Sequence, residues 1–190
     1  MGKILCFVYN DMADFELTLA THFAGHYAGR EIVPIAYDKA AVAAKPGLLY
    51  FPKATVTEAL QLEDVDGLII PGGWNSEQRP ELTELIRRLD GENKLLAAIC
   101  AGPQYFARAG VLGNHKYTTT LTTEELKESG EVDFFPRYNF LDEKIVRDRN
   151  MITAVGVAFV DFAVEIGDYL GIYEKPEEKK EYSDAYKGLL

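Results

Sequence analysis

The stretch Lys94-Leu95-Leu96-Ala97-Ala98-Ile99-Cys100-Ala101-Gly102-Pro103 decides the fold. Lys94 to Ile99 is a nearly uninterrupted apolar run, which reads as a strand buried on both faces. A helix follows at once and runs to about Gly110. The small residues Ala98 and Gly102 flank Cys100 two positions away on either side. That spacing suits a nucleophile elbow, where the backbone turns too tightly for bulk and lifts one side chain above the sheet. Cys100 then stands at a helix N-terminus, whose partial positive charge favours the thiolate. The same residues also fit a buried structural cysteine, because free Cys packs as a small hydrophobe.

Outward from this stretch, strand and helix patterns alternate. Ile4 to Tyr9, Glu31 to Tyr37 and Asp66 to Ile70 read as strands. Phe15, Leu17, Leu19, Ala20, Phe23 and Ala24 recur at helical spacing, with a stop between Gly25 and Gly29. Residues 40 to 57 suggest a short hairpin near Pro46-Gly47. Pro80 opens a helix that continues through Leu89, since proline suits the first helical turn. Residues 111 to 142 carry a mixed pattern, Lys144–Arg147 and Met151–Val155 form a strand pair, and Gly156 to Gly171 reads as a last helix. Such alternation predicts an α/β fold with a mostly parallel sheet covered on both faces. Residues 1–173 read as a single domain and 174–190 as a charged, solvated C-terminal segment.

Composition narrows the function classes. The chain has 190 residues, 47% of them hydrophobic and 26% charged, which suits one globular domain rather than a disordered chain. A net charge of −10 repels phosphate backbones and argues against nucleic-acid binding. No apolar run reaches the roughly 18 residues of a membrane span, and the N-terminus lacks the features of a signal peptide. The expectation is a cytoplasmic protein with no membrane partner. The two cysteines, Cys6 and Cys100, show no Cys-x-x-Cys spacing. His22 and His26 stand at His-x-x-x-His spacing, but Phe23 occupies the place of the Glu found in zinc proteases. Neither a metal nor any other cofactor is expected.

Sites in open α/β sheets gather at the carboxyl ends of strands. Gly72 and Gly73 follow a strand there, and with the N–H of Ala101 they are candidate oxyanion donors. Taken alone, they also fit an ordinary tight turn. Glu16 and Asp14 fall on different faces of the first helix, so one carboxyl can turn inward. A carboxyl beside a thiolate is kept protonated, because two adjacent negative charges disfavour each other. The three histidines, His22, His26 and His115, read as surface or structural residues, since none follows Cys100 directly.

With these pieces placed, the chain resembles the ThiJ/PfpI superfamily from Lys3 to about Gly171. The resemblance rests on Ile4-Leu5-Cys6-Phe7-Val8 with Asp14-Phe15-Glu16, on Asp66-Gly67-Leu68-Ile69-Ile70-Pro71-Gly72-Gly73, and on Ala97-Ala98-Ile99-Cys100-Ala101-Gly102-Pro103. It implies a flavodoxin-like three-layer α/β/α sandwich of the class I glutamine amidotransferase-like group. It further implies a nucleophilic Cys100, a partner carboxyl at Glu16, oxyanion donors at Gly72, Gly73 and Ala101, and a homodimer. One departure stands out. Members of the superfamily place a histidine either directly after the cysteine, where Ala101 stands here, or at the position matched by Thr120. Trp74 adds a bulky aromatic beside the expected pocket.

Three functions fit this reading. In the first, Cys100 attacks a small carbonyl or amide compound, as in a glyoxalase-like, deglycase-like or amidase-like enzyme with an incomplete Cys-His-acid triad. In the second, Cys100 is a redox sensor that oxidises to sulfenic and sulfinic acid, which needs no histidine. In the third, the domain binds a partner and keeps the site as a relic. Fold analogy does not choose among them.

Overall fold

A computed structural model describes residues 2–190. In chain order the elements are β1 (Lys3–Phe7), α1 (Asp14–His22), β2 (Glu31–Ala36), β3 (Val42–Ala43), β4 (Leu49–Tyr50), β5 (Ala54–Thr55) and α2 (Val56–Ala59). They continue with β6 (Val65–Ile70), α3 (Pro80–Gly91), β7 (Leu95–Ile99), α4 (Pro103–Ala109) and α5 (Thr123–Ser129). The chain ends with β8 (Ile145–Asp148), β9 (Met151–Ala154), α6 (Phe159–Tyr169) and α7 (Pro176–Tyr186).

The main sheet has the order β5-β2-β1-β6-β7-β9-β8. Every neighbouring pair is parallel except β8 with β9. All five residues of β7 are fully buried, as a central strand covered on both faces requires. The hairpin expected near Pro46-Gly47 is the antiparallel β3–β4 pair.

The first helix ends between Gly25 and Gly29 as read, through a π-helical turn, Phe23–Tyr27, closed by the Ala28 N–H on the Phe23 carbonyl at 3.0 Å. Two elements depart from the sequence reading. The last long helix begins at Phe159 rather than Gly156, because Gly156–Ala158 forms a 3₁₀ turn at the end of β9. The charged tail is not simply solvated. It forms α7, whose Tyr182 packs on Tyr27 at 5.2 Å and whose Tyr186 packs on Phe23 at 5.1 Å between ring centroids. Lys179 of α7 also reaches the Glu165 carboxylate on α6 at 2.6 Å. Two tyrosines four residues apart lie on one helix face, and the charges around them hide that face in the sequence.

The fold's contribution to function is the turn from β7 into α4. Cys100 has a φ of 61°, a left-handed conformation costly for a residue with a side chain. Four contacts hold it there. Its N–H donates to the Ala154 carbonyl at 2.8 Å, and its own carbonyl accepts from the Thr119 hydroxyl at 2.9 Å and the Thr120 N–H at 3.1 Å. Gly102 closes the turn by donating to the Ile99 carbonyl at 2.8 Å. A Cβ on Gly102 would fall 2.7 Å from the Ile70 carbonyl oxygen and 2.9 Å from that of Ile99. Both are backbone atoms that cannot swing aside. Gly102→Ala is therefore expected to destabilise the protein by about 1–3 kcal/mol, the usual cost of overpacking. Urea unfolding measures this, and an unchanged midpoint would show that the turn is looser than described.

Candidate active site

The carboxyl ends of β1, β6, β7 and β9 converge on one place, and loop residues from each deliver the site. Cys100 comes from the end of β7, Gly72 and Gly73 from the loop after β6, and Gly156 from the turn after β9. Glu16 comes from the first turn of α1, after β1. Its side chain is turned inward and only 2% exposed. Asp14 is buried too, but it points elsewhere and accepts from the Tyr50 hydroxyl at 2.9 Å.

Glu16 and Cys100 lie together. A Cβ built on Gly72 would meet Cys100 Cβ at 2.5 Å, Glu16 Oε2 at 2.7 Å and Cys100 Sγ at 2.9 Å. One built on Gly156 would meet Glu16 Oε1 at 3.0 Å and Cys100 Sγ at 3.1 Å. Two glycines thus bracket the acid and the sulfur, and any side chain at either position would wedge between them.

The Gly72 N–H donates to Glu16 Oε2 at 2.7 Å. This corrects the expectation that Gly72 supplies an oxyanion donor: its N–H is already committed to the carboxyl. Two donors remain. Gly73 lines the cleft, and its N–H has no backbone acceptor among the described residues. The Ala101 N–H is directed to the Cys100 sulfur. Thr120 lines the cleft with the sulfur and draws the thiol pKa down, and its hydroxyl accepts from the Gly156 N–H at 3.2 Å.

The electrostatics also depart from the sequence reading. Burial pushes the Glu16 carboxyl up to about 7, against the opposing hydrogen bonds from Gly72 and Cys100. Burial, and then the negative charge of Glu16, push the Cys100 thiol up to about 11. Hydrogen bonds from Thr120 and Ala101 pull it back, while hydrogen bonding to Glu16 holds the proton on sulfur. The helix N-terminus does not by itself give a low thiol pKa here, because the sulfur is largely buried and an acid shares its pocket. The pair gives up one proton near neutral pH and resists losing the second. Cys6, by contrast, is buried inside β1, and burial raises its thiol far out of the reactive range.

The sulfur opens into a cleft of about 660 Å³. Trp74 stands on its rim, 69% exposed, with Phe15, Phe159, Val157 and Leu121 around it. None of the three histidines lines the cleft. The His22 and His26 rings stack 5.0 Å apart beside Tyr27. His115 is buried and bonds Asp90 through Nε2 at 3.1 Å. Asp90 also accepts from Asn150, which bonds the Lys94 carbonyl just before β7, so this cluster lies at the opposite end of the sheet from Cys100. No group of three or more His, Cys, Asp or Glu side chains among the described residues is placed to hold a metal ion.

Sequence reasoning missed Gly156 and Thr119. Gly156 was read into a helix, and only the close approach of Sγ shows its purpose. Thr119 belongs to the run Thr118-Thr119-Thr120, an unusual cluster that was a signal without a partner until the fold brought it to the Cys100 carbonyl.

A Glu16 carboxyl that titrates near 7 in the fold but near 4.5 when unfolded binds its proton more tightly in the native state. Its contribution is fully present below pH 4.5 and is lost as pH rises through 7. Glu16→Gln removes that dependence while keeping a neutral side chain. Relative to the wild type, the variant is expected to gain up to about 3 kcal/mol between pH 4.5 and pH 8. Chemical denaturation at several pH values measures the difference, and a constant offset would mean that Glu16 is solvated.

Known proteins share this fold. The chain matches the DJ-1/PfpI family over residues 2–168. It is 28% identical over 156 residues to a protein named Deglycase PfpI of Pyrococcus furiosus, covering 80% of this chain and 89% of that one. A Bacillus subtilis protein named uncharacterized protease YoaZ is 25% identical over 188 residues, covering 90% of this chain and 84% of that one. Among solved structures, the DJ-1 superfamily protein Atu0886 of Agrobacterium tumefaciens superposes with a TM-score of 0.83 at 30% identity over 99% of both chains.

Proposed function

The chain belongs to the DJ-1/PfpI family, and on that premise we propose that it is an enzyme whose Cys100 adds to small carbonyl compounds. The observation that carries this reading is the packing of Glu16 and Cys100 against each other between Gly72 and Gly156, at the floor of an open cleft. Relatives named as deglycases and as a protease support an enzymatic role.

The residues suit the following chemistry. In its singly ionised form the Glu16–Cys100 pair holds one proton. With that proton on Glu16, the sulfur is a thiolate supported by the Ala101 N–H and Thr120. The thiolate attacks the aldehyde carbon of a substrate and an S–C bond forms. The carbonyl electron pair moves to oxygen, which faces the Gly73 and Ala101 N–H groups and takes the proton from Glu16. The product is a neutral hemithioacetal, and Glu16 is left as a carboxylate. For an α-oxoaldehyde, that carboxylate can carry the proton from the former aldehyde carbon to the neighbouring ketone carbon, while the hydroxyl proton of the hemithioacetal passes to the former ketone oxygen. This gives a thioester, and water then releases a 2-hydroxy acid and restores the thiol. The aldehyde carbon is oxidised and the ketone carbon reduced, so no external redox partner is needed.

Peptide hydrolysis fits less well. The leaving nitrogen must be protonated, and no histidine lines the cleft to do so. The same absence favours a second reading, in which Cys100 senses oxidants: the thiolate attacks peroxide, the O–O bond breaks to give a sulfenic acid, and the leaving hydroxide takes the Glu16 proton and departs as water.

A paired assay separates these. Wild type and Cys100→Ala are compared on methylglyoxal, phenylglyoxal and a fluorogenic peptide. The expected outcome is turnover of an α-oxoaldehyde that falls at least about a hundredfold in Cys100→Ala, with no peptide cleavage above that of the variant. Robust Cys100-dependent peptide cleavage would overturn the proposal. Lack of aldehyde turnover, with rapid sulfinate formation at Cys100 under dilute peroxide, would establish the sensor reading in its place.

A further inference from the structure

The side chains around the sulfur divide sharply by chemistry. Among the described residues, those lining the cleft include no Lys, Arg or His. The ionisable carboxyls lining it are Glu16 at the floor and Glu125 on the wall. Glu125 is tied into the start of α5: its Oε2 accepts from the Thr122 N–H at 2.9 Å and the Thr122 hydroxyl at 3.0 Å. Those bonds hold the Glu125 carboxyl below its usual range, so it is an anion at neutral pH. It also occupies the end of α5 that would otherwise attract an incoming anion. Lys45, whose ammonium lies 5.2 Å from the centre of the Trp74 ring, is engaged with the Asp11 carboxylate at 3.3 Å.

The remaining walls are apolar. Phe15 and Phe159 meet edge to face with centroids 5.4 Å apart. Phe15 is 51%, Trp74 69% and Val157 86% exposed, so three large apolar side chains face solvent around one opening. Exposed apolar side chains gathered around the mouth of a cleft mark a binding site. The cleft is also far larger than a two- or three-carbon aldehyde needs.

We infer that this cleft selects uncharged compounds bearing an apolar or aromatic group and rejects those bearing a carboxylate or phosphate. The inference rests on the reading above that Cys100 is the reacting group, and it specifies the class of carbonyl compound: the carbonyl at the sulfur, its substituent against Phe15, Trp74 and Phe159. A carboxylate entering this space meets two carboxyls and no cation, in surroundings that screen charge less than water does. The same repulsion serves turnover, since a 2-hydroxycarboxylate product is expelled from a site that admitted its neutral precursor.

Alkylation of Cys100 tests the selection without requiring turnover. Rates are measured at neutral pH by intact-protein mass spectrometry with iodoacetate, iodoacetamide and N-benzyl iodoacetamide. Each is divided by the rate of 2-mercaptoethanol with the same reagent. The expected order is N-benzyl iodoacetamide fastest and iodoacetate slowest, with at least tenfold between each step. Trp74→Ala is expected to shrink the benzyl preference several-fold. Leu121→Arg, which places a cation in the wall, is expected to raise the iodoacetate rate at least tenfold relative to iodoacetamide. Equal normalised rates for iodoacetate and iodoacetamide, or no benzyl preference, would overturn the inference even if an aldehyde is turned over. The predicted order with no aldehyde turnover would uphold the selection and fail the catalytic reading instead.

Discussion

The Gly72 N–H donates to Glu16 at 2.7 Å, and Gly72 and Gly156 leave no room for a side chain between that carboxyl and the Cys100 sulfur. This enforced closeness is the constraint from which the rest follows. Two acids held in one buried space cannot both ionise easily, so each raises the cost of the other's charge. The result is a pair that shares a proton near neutral pH. A thiol alone at the same turn would have the helix N-terminus to lower its pKa. With Glu16 beside it, the sulfur gains a proton donor and acceptor within reach and gives up independent ionisation.

Holding that geometry requires a rigid frame, and the sheet supplies it. β7 is fully buried between β6 and β9, and each neighbour delivers one of the two glycines that bracket the pair. The left-handed conformation of Cys100 is sustained by bonds to Ala154, Thr119 and Thr120, which belong to β9 and to the segment before α5. Strain at one residue is thus spread over three parts of the chain that are far apart in sequence. The cleft above is built differently. Its walls come from exposed apolar side chains on loops and helix starts, where sequence can vary without disturbing the frame.

The parts legible in the sequence were those with a local signature. Buried strands, the alternation of elements and the elbow around Cys100 each follow from a few adjacent residues, Ala98 and Gly102 above all. Glu16 was legible only as one of two candidate acids, and its burial depends on contacts 56 residues away. The assignment of Gly72 as an oxyanion donor failed for the same reason: whether an N–H is free depends on what the fold brings to it. Gly156 carries no local signal, because it sits at a strand end that resembles a helix start, and the run of threonines around Thr119 lies in an irregular segment that names no partner for it. The C-terminal helix stayed hidden because its two packing tyrosines are outnumbered by charged neighbours. The expected low thiol pKa was a local inference from the helix end, and burial of the sulfur, joined by an acid 84 residues away in sequence, reversed it.

Titration of Glu16 and Cys100 as one pair is read from the pH dependence of Cys100 alkylation. Iodoacetamide rates are followed from pH 5 to 12 in the wild type and in Glu16→Leu. Two steps are expected in the wild type: a first, smaller rise around pH 7, set by the share of singly ionised pairs whose proton sits on Glu16, a plateau while the pair holds a single proton, and a second rise near pH 11. Glu16→Leu loses the lower step and shows a single rise. A single rise in the wild type near pH 8.5, the range of an unperturbed cysteine, would contradict the claim, because it would mean that the sulfur ionises without reference to the acid beside it.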